Sequence, residues 1–124
     1  MNIAIPIKMN KENAPIAPLF GKAKWFAIVK DGQVSIVENL AKGGQAVVVW
    51  LSEMKIDTIL LQEMGKSPYE KIQSYGNITL YHTGFKRTLL NEVLDKFKVN
   101  DLTLLDDIEM EKVIAHHEVR HPTH

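Results

Sequence analysis

Five histidines, a scatter of lysines and three glycine-containing turns are the residues of this sequence whose types and spacing suit chemistry. His82 ends an apolar run, where a neutral imidazole can ligate iron, copper or zinc, or equally close a strand with a hydrogen bond. Glu63 and Met64 follow another such run and offer a carboxylate and a soft thioether, although a methionine there also serves as packing. His117 and His121 stand four apart, so on a continuous helix they share a face that a divalent metal can bridge. With His116 and His124 they otherwise read as a solvated basic tail. Phe20 and Trp25 suit a tight loop and a strand better than ligand stacking. No serine, histidine and aspartate set occupies a nucleophile context. The chain has no cysteine, hence no disulfide and no thiolate ligand, and any metal must be held by histidine, carboxylate, methionine or its own ligands.

Alternation and punctuation indicate the elements that must position these groups. Ile3, Ile5 and Ile7 alternate with smaller residues as in a strand, with Pro6 expected to end its pairing. Trp25 to Val29 and Val34 to Val37 flank Lys30-Asp31-Gly32-Gln33, an antiparallel hairpin with Asp-Gly at its tip. Ala46 to Leu51 contains three adjacent valines that favour a strand by propensity. Gly43-Gly44 before it and the apolar strand Thr58 to Leu61 after it favour a helix, and helix is the reading adopted. Ser67-Pro68-Tyr69-Glu70 forms a capping box that starts a second helix, with Pro68 at its first position and Gly76 as its stop. Ile78 to Tyr81 makes a fifth strand. Phe85, Leu89, Leu90, Val93, Leu94 and Phe97 then mark one face of a third helix. From Asn100 the chain turns polar, and Asp106-Asp107 opens a short helix carrying Ile108, Val113 and Ile114 until Pro122. The expected division is a domain over residues 1–99 and a part-helical, histidine-containing tail over 100–124, an appendage able to fold back as a lid.

If the first, fourth and fifth strands are parallel with right-handed crossovers, four loops share one sheet edge: 8–24, 39–44, 63–66 and 82–87. Ligands of open α/β sheets bind at such an edge, where strand order reverses, here between the first and fourth strands. The edge carries Lys8, Lys11, Lys22, Lys24, Lys42, Lys66, Lys86 and Arg87 against Glu12, Glu38 and Glu63, a formal +5 in a chain of net charge zero. Two helices aim their N-termini at it, after Gly43-Gly44 and after Ser67, adding free amides. An anion is the expected ligand, with Phe20, Gly21, Lys22, Lys42, Gly43, Gly44, Gly65, Lys66 and Ser67 as its binding residues. The glycines have neither dinucleotide-loop spacing nor a Walker lysine.

Four segments carry a family resemblance: Ile3-Ala4-Ile5-Pro6, Ala17-Pro18-Leu19-Phe20-Gly21-Lys22-Ala23-Lys24-Trp25-Phe26, Gly43-Gly44-Gln45-Ala46 and Gly65-Lys66-Ser67-Pro68-Tyr69. By their order and spacing the chain resembles the dinitrogenase iron-molybdenum cofactor biosynthesis family, the NifX-like proteins and the C-terminal part of NifB-like proteins. The match runs from Met1 to about Phe97. The resemblance implies an α/β, ribonuclease H-like fold with a five-stranded mixed sheet. It also implies noncatalytic binding or delivery of an iron-sulfur or molybdenum-containing cluster. Many relatives place a histidine just before the Phe-Gly pair, where this chain has Leu19. That departure motivates the alternative of a protein-interaction or regulatory module that has lost the cluster. Nuclease chemistry is excluded, because two-metal cleavage needs clustered carboxylates and the segment Asn2 to Met9 has none.

A length of 124 residues suffices to bury roughly two thirds of the unfolded surface in one core. Apolar residues at 45% and charged residues at 24% are ordinary for a globular protein. No apolar run approaches the roughly 20 residues of a membrane span, and the N-terminus lacks a signal peptide's basic start, so a cytoplasmic location is expected. Fifteen basic and fifteen acidic side chains cancel, which argues against nucleic acid as a partner. The expected partners are the anionic cluster and cluster-assembly proteins, with the chain a monomer or weak homodimer and not an enzyme.

Overall fold

The computed structural model describes residues 1–120. Along the chain, β1 (Asn2–Ile7), a 3-10 turn (Phe20–Lys22), β2 (Trp25–Lys30), β3 (Gln33–Glu38), α1 (Gly44–Glu53) and β4 (Thr58–Leu61) come first. They are followed by α2 (Lys66–Tyr75), β5 (Thr79–His82), α3 (Leu90–Lys98), β6 (Thr103–Leu104) and α4 (Asp107–Arg120). The strands form one mixed sheet in the order β3-β2-β1-β4-β5-β6. β1, β4 and β5 are parallel, while β2 and β3 run as an antiparallel meander from β1.

The central strands β1 and β4 are buried on both faces, which is why Ile3 to Ile7 and Ile59 to Leu61 are apolar throughout. Ile3, Ile5 and Ile7 pack with Leu90 and Val93 of α3 on one side. Ala4, Phe26, Ile59 and Leu61 meet Val47, Val48 and Leu51 of α1, Ile72 of α2, and Met110 and Val113 of α4 on the other. The valine run thus becomes helix because its burial on the sheet outweighs local strand preference. Asp31 and Gly32 take φ of 52° and 77°, the two positive values a two-residue hairpin turn requires.

Several expectations are corrected. The sheet has six strands, not five: β6 pairs antiparallel to β5, and its two residues are exposed and too few to show a period. The segment after Asn100 is more than an appendage, because Leu105, Met110 and Val113 are buried in the main core while Ile108 is 68% exposed. Pro6 does not end β1, which pairs with β2 through Ile7. It does lie past the parallel register with β4, and its carbonyl accepts from the Ala17 N–H at 2.9 Å.

Two helix starts also differ. α2 begins at Lys66 with Gly65 as N-cap and no side-chain cap, so the capping box is not formed; Ser67 Oγ instead accepts from Gln45 Nε2 at 2.8 Å. α3 begins only at Leu90, with Phe85 exposed in the preceding loop. Its Asn91 N–H donates to Asn13 Oδ1 at 2.8 Å, a cap supplied from the far side of the sequence. Pro122, expected to end the last helix, lies outside the described residues.

Candidate functional site

Strand order reverses between β1 and β4, so their carboxyl ends diverge from opposite-going connections and leave a crevice. The segment after β1 folds back across it. Glu63 N–H donates to the Pro18 carbonyl at 3.1 Å and Phe20 N–H to the Glu63 carbonyl at 3.2 Å, so Leu19 pairs with Glu63 as a one-residue extension of the sheet. Lys22 N–H closes the turn onto the Leu19 carbonyl at 3.2 Å. Phe20 is its anchor, 1% exposed and edge-on to Phe26 at 5.7 Å between ring centres.

Close backbone approach draws four elements around this turn. A Cβ on Gly21 would lie 3.2 Å from Gly44 Cα, one on Gly44 would lie 2.8 Å from Pro68 Cγ, and one on Gly65 would lie 3.3 Å from His117 Nε2. The 3-10 turn, α1, α2 and α4 therefore meet at positions without side chains, and a cavity of about 500 Å³ opens between them. Both α1 and α2 start there, at N-caps Gly43 and Gly65, with no side-chain cap and no acidic residue in either first turn. Their leading amides carry partial positive charge that an anion can accept. Pro68 has no N–H, so α2 offers fewer such donors than α1.

Phe20, Gly21, Lys22, Gly43, Gly44 and Gly65 all line the cavity, as does His117. Lys42 is exposed just before α1. Lys66 lies along a separate groove between α2 and α4, beside Glu111 and Glu118, and Ser67 is engaged with Gln45. Lys22 also faces a neighbouring hollow with Lys8 and Lys24, which continues the positive surface. Among the described residues none of these lysines forms an ion pair.

His82 stands outside the cavity lining. Its Nε2 donates to the Gln62 carbonyl at 2.9 Å, the strand-end hydrogen bond that sequence left open. Burial pushes its pKa below the ordinary value, as does the neighbouring His116, against the opposing effects of the Gln62 carbonyl, Glu109 and Glu63. The ring is neutral at pH 7. Phe85 bridges it to α4, with ring centres 4.5 Å from His82 and 3.9 Å from His116. Trp25 is half-buried in β2 with Lys24 Nζ 5.8 Å from its ring centre. His121 and His124 lie outside the described residues.

Sequence reasoning noted Leu19 only as a departure from its relatives and did not assign the lining made by Leu19 and Pro68 or the part played by His116. Glu63 is fully buried at the cavity floor, and His116 Nε2 sits 3.8 Å from its Oε1. Neither contact has a local signal, since the partners are tens of residues apart. Among the described residues no three histidine or carboxylate groups converge to hold a metal ion by themselves.

Residues 1–100 match the family described as dinitrogenase iron-molybdenum cofactor. No curated protein matches the chain. Among solved structures, a candidate NifB protein from Thermotoga is 24% identical with a TM-score of 0.71, over 84% of this chain and 92% of that one. The apo form of the orange protein from Desulfovibrio gigas is 16% identical with a TM-score of 0.72, over 84% and 92%. A candidate dinitrogenase from Methanocaldococcus jannaschii is 17% identical with a TM-score of 0.63, over 86% and 95%. At these identities the structures share the fold.

Proposed function

This chain belongs to the dinitrogenase iron-molybdenum cofactor family, and from that premise we propose that it binds and delivers an anionic metal cluster or its precursor in the cavity at the β1/β4 edge. The observation that carries the reading is the convergence of three glycine-lined turns and two uncapped helix starts on one cavity, with Lys22 at its mouth. Backbone amides and lysines recognise negative charge without fixing one shape, which suits a compact inorganic anion. With no cysteine in the chain, most of the metal valences must be met by the cluster's own sulfides and ligands.

Binding, rather than turnover, is what this lining supplies: glycine, amide and lysine hold charge, while the cavity's carboxylate, Glu63, is fully buried. Residues 1–99 are then the carrier domain, acting in the cytoplasm, and α4 an addition that contributes His117 to its wall. Delivery requires a receiving protein of the cluster-assembly machinery. Anaerobic titration of the full chain with tetrathiomolybdate, followed by visible absorption, should saturate at one site. Lys22→Gln and Lys42→Gln should each weaken it, roughly threefold to tenfold, as loss of a nearby charge does. A titration that never saturates, or one indifferent to both substitutions, ends the reading.

A further inference from the structure

The cavity is closed by a residue that the family match does not reach. That match ends at residue 100, yet His117 of α4 lines the cavity and its Nε2 packs against the N-cap of α2 at Gly65. The helix is firmly seated. Met110 and Val113 are buried in the core, and His117 follows them at helical spacing on the same face, so an imidazole continues the apolar stripe into the cavity wall. Tyr69 of α2 donates to Asp107 Oδ1 at 2.6 Å at the helix start, and His116 stands 3.8 Å from buried Glu63 near its end.

Three cavity-lining side chains are of types that coordinate metals: Glu63, Met64 and His117. Glu63 is 0% exposed and Met64 1%, so neither presents surface to a bound molecule. His117 is only partly buried. We infer that His117 is the chain's own ligand to a metal of the bound cluster, supplied by the C-terminal helix to a site that the family domain leaves without one. This rests on the carrier function proposed above and adds to it the coordination chemistry of the cargo.

The cargo class follows. It is an anionic iron-sulfur cluster with at least one exchangeable terminal ligand, because amides and lysines hold its charge while one iron accepts an imidazole. In that exchange the imidazole nitrogen lone pair forms the N–Fe bond as the Fe–S bond to a terminal thiolate breaks. The thiolate leaves with a proton from solvent, and no oxidation state changes.

The test uses the full chain labelled with nitrogen-15 histidine and loaded anaerobically with a synthetic thiolate-ligated iron-sulfur cluster, then reduced to its paramagnetic state. Pulsed electron paramagnetic resonance should show a histidine nitrogen coupled to the cluster. In His117→Gln the coupling should vanish and binding weaken roughly tenfold, about 1.4 kcal/mol. A cluster that binds the unaltered chain without nitrogen coupling overturns the inference and leaves the carrier reading standing, as does a coupling that persists in His117→Gln. Failure of the unaltered chain to bind the cluster overturns both. The first measurement is made on the unaltered chain, so it does not depend on the folding of a variant.

Discussion

At Gly44 a missing methyl group decides how closely two helices meet. A Cβ there would fall 2.8 Å from Pro68 Cγ, 3.0 Å from its Cβ and 3.1 Å from its Cδ, and a proline ring cannot rotate away. Gly44→Ala should therefore push the starts of α1 and α2 apart at a cost of about 1 to 3 kcal/mol, the usual range for overpacking. Urea unfolding should show the midpoint falling with an unchanged slope; an unchanged midpoint would mean that the contact is not tight. The Gly43-Gly44 pair was legible as a helix start, but its reason was not, since the residue it must avoid lies 24 positions on in the chain. The same applies to the charged groups. Lys22 was placed at the anion site by loop position and lines the cavity, whereas Lys66, chosen on equal grounds, projects along the α2/α4 groove.

The element whose role sequence conveyed least is α4. Its polar composition suggested an appendage able to fold back as a lid, with Ile108, Val113 and Ile114 as its apolar residues, yet Ile108 points outward while Met110 and Val113 enter the core. With so few apolar positions the phase of the helix is ambiguous until a partner surface is known. Tyr69 joins it to α2: burial, then the Asp107 carboxylate, pushes the phenol up to about 12, so at neutral pH it remains a hydrogen-bond donor. If α4 is part of the folded unit, Met110→Ala should cost about 2 to 4 kcal/mol, since Met110 is 0% exposed. The loss should appear in one cooperative transition that also releases Phe20 and Trp50, followed by Trp fluorescence and circular dichroism together. Separate transitions would show that α4 docks independently of the sheet. By contrast, α1 was legible despite its valines, because the strands on either side leave only a crossover for it to make.

For the molecule as a whole, the alternation of strands and helices was enough to bring four loops to one edge, and the parallel pairing of β1, β4 and β5 confirms that edge. The sixth strand and the α4 wall were not legible, because two-residue pairings and tertiary docking leave no periodic trace. Among the described residues no helix is long and apolar enough to cross a membrane. What distinguishes this edge of a neutral chain is the grouping of Lys8, Lys22 and Lys24 around the hollow beside the cavity. A compact anion approaching from solvent meets that edge within a Debye length, about 10 Å at 0.1 M salt and about 3 Å at 1 M. The helix starts at Gly44 and Gly65 line the cavity, while Lys8, Lys22 and Lys24 are exposed on the surface around it. Salt should thus slow tetrathiomolybdate association by roughly tenfold between about 0.05 and 0.5 M while changing dissociation much less. Stopped-flow absorption resolves the two rates. Replacing Lys8, Lys22 and Lys24 together by glutamine should flatten the salt dependence, since it removes the screened contribution and spares the amides. An association rate that ignores salt in the unaltered chain would show that the polarised edge plays no part in capture.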